Sequence, residues 1–82
     1  MNEASITRKS DIVDTLGICV DNVTNINSTA KTVQSRVANG NEPHTIENDI
    51  NTILRLSKDT ASILRVIIGC VNNKKVEDYY HG

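Results

Sequence analysis

The side chains best equipped for chemistry in this 82-residue chain are Cys19 and Cys70, His44 and His81, and the basic trio Arg55, Lys58 and Arg65. A thiol reacts as its thiolate, which needs a cationic neighbour or a helix N-terminus. Cys19 and Cys70 instead sit in apolar runs, Ile18-Cys19-Val20 and Ile67-Ile68-Gly69-Cys70-Val71. They read as small core side chains of a reducing compartment, not as a disulfide framework. His44 stands beside Pro43 in an inter-helix loop and His81 in the tail, and neither has the Cys-x-x-Cys or His-x-x-x-His spacing of a metal site. There is no glycine-rich phosphate loop, no serine–histidine–aspartate order, no inward pair of carboxylates and no Glu-x-x-His pattern of di-iron bundles. The expectation is therefore no enzyme, no catalytic residue, no metal and no cofactor. Arg55 and Lys58 are three apart and share a helix face. With Arg65 they define an alternative expectation, a site holding a small anion such as a nucleotide between subunits, against the plainer reading of a solvated face.

What could position such groups is limited by size. Eighty-two residues make one small domain, too short for a doubly wound nucleotide-binding fold or a barrel enzyme. Hydrophobic residues are 38% and aromatic residues 2%, with no Phe or Trp, so any core is aliphatic and small. Domains of this kind commonly rely on disulfides, metals or partner chains. Nine basic residues against ten acidic ones give a net charge of −1, which argues against nucleic acid as a partner. The longest apolar run, Ile63 to Val71, is broken by Arg65 and falls short of the ~20 residues that span a bilayer. The opening residues are polar, unlike a secretory signal, so a cytoplasmic location is expected. The sequons Asn22-Val23-Thr24 and Asn27-Ser28-Thr29 read as chance matches in a chain crowded with Asn, Ser and Thr.

Punctuation in the middle of the chain, Asn39-Gly40-Asn41-Glu42-Pro43, suits a helix stop followed by a helix start. Ser10 is the expected N-cap of a first helix, and Thr45 or Asn41 that of a second, with Lys74 and Lys75 near its end. These signals predict helices over about 11–38 and 44–75, a loop at 39–43, a polar N-terminal segment at 1–10 and an acidic-aromatic tail at 76–82. Apolar spacing agrees. Ile12, Leu16, Cys19, Val23, Ile26, Ala30, Val33 and Val37 alternate by four and three, as do Ile46, Ile50, Ile53, Ser57, Thr60, Leu64, Ile67 and Val71. That rhythm is a coiled-coil seam. Folding at Gly40 sets the two series opposite one another, each pair of numbers adding to 83. The polar layers Ile26/Ser57 and Val23/Thr60 are expected to hold hydroxyls bonded back to their own helix.

Apolar residues also lie off this seam: Val13 and Val20 on the first helix, Leu54, Ala61 and Ile68, and Leu56, Ile63 and Cys70 on the second. Each aliphatic side chain left in water forgoes roughly 1.5–3 kcal/mol. Val13, Val20, Leu54, Leu56, Ala61, Ile63 and Ile68 are therefore the expected interface. The expected architecture is an all-α antiparallel hairpin that pairs with itself into a four-helix bundle or higher symmetric assembly. Gly17 and Gly69 suggest a close approach between hairpins. The expected role is a small regulator, adaptor or assembly subunit acting through protein–protein contact, with itself and another protein as partners. Tyr79 and Tyr80 give the tail the means to dock on such a partner or on its own bundle, against the default of a frayed terminus.

Overall fold

A computed structural model of the chain describes residues 5–80. It is all-α, with no strand among the described residues: α1 is Lys9–Ala38, α2 is Pro43–Asn72 and α3 is the single turn Glu77–Tyr80. Both long helices have 30 residues, and they lie antiparallel as a hairpin. The result is a rod of 57 × 15 × 15 Å with a radius of gyration of 17.0 Å. A globule of this length has roughly 12 Å.

The turn forms as its residues dictate. Gly40 takes φ +72°, the left-handed conformation that favours glycine. Around it the Gly40 amide donates to the Val37 carbonyl at 3.1 Å and the Asn41 amide to Arg36 at 3.0 Å, a Schellman closure. Pro43 then opens α2 at its first turn, where its missing N–H is not needed. The end of α2 repeats this closure, with Lys74 donating to Val71 at 3.2 Å and Lys75 to Cys70 at 3.0 Å. Here the left-handed residue is Lys74, at φ 55°. An L-residue with a Cβ pays about 1 kcal/mol or more for that conformation. Lys74→Gly is expected to raise stability by about 1 kcal/mol in thermal or denaturant unfolding.

The first helix begins at Lys9, two residues earlier than its spacing suggests, and its cap is not Ser10. Asp11 reaches back instead. Its carboxylate accepts from the Thr7 and Arg8 amides, both at 2.9 Å, and from the Thr7 hydroxyl at 3.3 Å. These donors, the Thr7 amide foremost, hold its pKa below the usual carboxylate value. The bonds thus favour folding while Asp11 is ionised, and that support is lost as pH falls through the lowered folded-state pKa. A further orphan amide, that of Lys9, donates to Asp78 Oδ1 of α3 at 2.7 Å.

That last bond belongs to a clasp. The segments flanking the hairpin fold back over its open end: Ile6 and Val76 are fully buried against Ile67 and Cys70, with Ile12, Ile63, Val66, Val71 and Tyr80 packed around them. The Glu77 amide donates to the Thr7 carbonyl at 2.8 Å, and the Tyr80 hydroxyl to the Val71 carbonyl at 2.6 Å. Lys9 Nζ lies 5.5 Å from the centre of the Tyr79 ring. Among the described residues of these polar segments, Ile6 and Val76 each supply an aliphatic side chain to the core. His81 lies outside the described residues.

The seam differs from the expected one along half its length. Ile12, Cys19, Ile26 and Val33 turn inward, as do Ile46, Ile53, Thr60 and Ile67. Leu16, Val23, Ala30 and Val37 do not. These four are exposed, and Thr15, Asn22, Thr29 and Arg36 are turned in instead. On α2 the residues Ile50, Ser57 and Leu64 are likewise exposed, and Asp49, Leu56, Ile63 and Cys70 lie inward. Two forces choose this rotation. The clasp core holds Ile63 and Cys70 inward at one end, and polar pairs fix the middle and the turn end. Asn22 Nδ2 donates to Thr60 Oγ1 at 3.2 Å, and Arg36 pairs with Asp49 at 2.5 Å. The Thr60 hydroxyl in turn donates to the Leu56 carbonyl at 2.7 Å, the back-bonding expected of the polar layer.

Candidate interaction surface

Rotating the seam places the displaced apolar columns on one side of the rod. Successive heptad columns on α1 are Leu16, Val23, Ala30, Val37 and Val13, Val20; on α2 they are Ile50, Leu64 and Leu54, Ala61, Ile68. In an antiparallel pair, the columns following the seam in the same helical sense on both helices come out on the same face. An apolar groove of about 500 Å³ confirms this, because its walls are Leu16, Cys19, Val20, Val23 and Thr24 from α1 and Thr60 and Leu64 from α2. Val13 at 67%, Val20 at 63%, Leu54 at 61% and Ile68 at 58% exposure carry the face along the rod. The open face is thus largely apolar along much of the rod.

The expected interface residues divide between the two faces. Val13, Val20, Leu54 and Ile68 belong to the open face, with Ala61 half-buried at its centre line. Leu56 and Ile63 are half-buried in the column of Cys70, and Ile63 packs on the clasp core. Leu16, Val23, Ile50 and Leu64 join the open face in their place. Spacing alone gave no sign of this, since both neighbours of each central column keep the four–three rhythm.

The opposite face carries a groove of mixed polarity, about 440 Å³, lined by Ile18, Asn22, Asp59, Ser62, Ile63 and Val66. Arg55, Lys58 and Arg65 are exposed and line neither groove. His44 is exposed in the first turn of α2. Cys19 and Cys70 are buried and form no disulfide. Among the described residues no group of His, Cys, Asp or Glu is clustered as metal ligands, and no helix is long and apolar enough to cross a membrane. Gly17 makes no close approach within the hairpin, with open space where a Cβ would stand. Every buried side-chain nitrogen and oxygen described has a hydrogen-bond partner. No protein-family model, curated protein or solved structure matches the chain.

Proposed function

We propose that the chain is a small helical interaction protein, an assembly subunit, adaptor or inhibitor that works by presenting a surface and not by catalysis. The observation that carries this reading is the apolar face running through Leu16, Val20, Leu54, Leu64 and Ile68. Its side chains are held outward while the seam beside them is closed with threonine, asparagine and an ion pair. A chain with so few apolar residues would gain most by burying these, so leaving them outside is supported best by a partner that covers them. Self-association is part of the proposal, as is contact with another protein. Two buried thiols outside any disulfide support a reducing, cytoplasmic setting.

The test compares the tagged chain with its double variant Val20→Asp, Leu54→Asp as bait, after circular dichroism has established equal helicity. The proteins recovered with the wild type should be lost or reduced at least about tenfold with the variant, as charges set into the core of an interface do. Recovery of the same proteins in the same amounts would refute the reading.

A further inference from the structure

We propose that the open face is covered by a second copy of this chain, the two hairpins lying with their termini at the same end. The two-fold axis then runs parallel to the helices and sets α1 of each copy along α2 of the other. This names the partner of the surface described above and rests on that reading.

Area is the first argument. The chain exposes 5744 Å². A folded monomer of 9.0 kDa exposes roughly 4,900 Å² on the usual size scaling, an excess of roughly 900 Å². A stable interface takes about 800 Å² from each partner. The surplus comes with the elongated rod, is about what one side of a stable interface buries, and includes the apolar open face.

Charge selects the copy and its orientation. Asn22 opposite Thr60 and Arg36 opposite Asp49 fix the levels of α1 against α2 in the hairpin. A two-fold axis along the rod imposes the same levels between α1 and the other copy's α2. Arg65 and Lys58, seven apart on the outer edge of the α2 stripe, then come opposite Gly17 and Thr24. Both positions are small, and the space beside Gly17 is empty. Behind them stand Asp14 and Asp21, also seven apart. All four charged residues are exposed and take no part in the hairpin's ion pair, which is made by Arg36 and Asp49. Two bases thus meet two acids across each of two equivalent contacts. Turning the second copy end for end would stack α2 on α2 and set Lys58 against its own equivalent. Like charges opposed in this way select against that arrangement.

The test is sedimentation equilibrium of the full chain at low ionic strength, with circular dichroism as the check on folding. A two-chain species is expected. Reversing the acids alone (D14K with D21K), or the bases alone (K58D with R65D), should weaken it about tenfold, and both reversals together should restore it to within about threefold. A one-chain mass at full helicity, any other number of chains, or a fourfold variant no tighter than the double variants would overturn the proposal. If the one-chain result accompanied unimpaired, stripe-dependent capture of another protein, self-pairing would fall and the interaction reading would stand.

Discussion

Truncating Ile6 to alanine is expected to destabilise the protein by about 3 kcal/mol, within the range found for removing a large aliphatic side chain from a core. Ile6 lies outside all three helices, yet it is among the most completely buried residues of the chain, together with Val76 and Cys70. Burial this complete is confined to the clasp end. Ile67 is also buried there, whereas the seam beyond is closed largely by half-buried side chains. The cavity left by the missing carbons would have α1, α2 and the Val76 segment for walls. None of these can close it without breaking the Glu77–Thr7 and Lys9–Asp78 hydrogen bonds. For a domain of this size, 1 kcal/mol moves the unfolding midpoint by roughly 4–8 °C, so a fall of about 12–24 °C should be seen in thermal unfolding followed by circular dichroism. An unchanged midpoint would mean that the N-terminal segment does not plug the end of the hairpin.

Leu64→Asp is expected to weaken self-association at least about 100-fold, equivalent to about 2.7 kcal/mol, while the hairpin keeps its helicity. Leu64 is 39% exposed and forms a wall of the apolar groove, facing Val20 and Val23. Within one hairpin a carboxylate there still reaches water. Covered by a second copy it would be stripped of water with no base at its level, since Lys58 and Arg65 stand outside the groove. The control is Ile18→Asp, an equally apolar loss on the opposite face, which should leave the association unchanged. Sedimentation velocity of the two variants against the wild type reads both outcomes. Equal losses from both would show that the effect is general and not specific to the open face.

The hairpin itself was legible in the sequence because its signals are local and agree with one another. Gly40 and Pro43 mark the turn by their backbone preferences, and 30-residue helices give the apolar period many repeats in which to show itself. What could not be read was which side of each central column faces the partner helix. Cys19 is flanked by Thr15 and Asn22 on one side and by Leu16 and Val23 on the other; hydrophobicity favours the second pair. The structure takes the first. A hydrogen bond from Asn22 to Thr60, an ion pair far along the rod and the clasp at its end together outweigh the local apolar preference. Each of these joins residues distant in sequence, and no periodic pattern records it.

The clasp was hidden for the same reason. Ile6 among Ser, Thr and Arg, and Val76 between Lys75 and Glu77, are single aliphatic residues in polar surroundings, so neither segment has a period to detect. Their burial depends on the two ends of the chain meeting, which follows from the hairpin and not from either segment. The candidate surface, in turn, was half legible. Val13, Val20, Leu54 and Ile68 stand out in the sequence as a surplus beyond one seam, whereas Leu16, Val23, Ile50 and Leu64 share the seam's own four–three rhythm and reach the open face only through its rotation.

Static light scattering of the full chain over a range of concentrations addresses the pairing most directly. Two chains of 9.0 kDa travelling together, with dissociation on dilution and on introducing Leu64→Asp, is the predicted result. A single 9.0 kDa chain that stays fully helical at the highest concentration reached would contradict it.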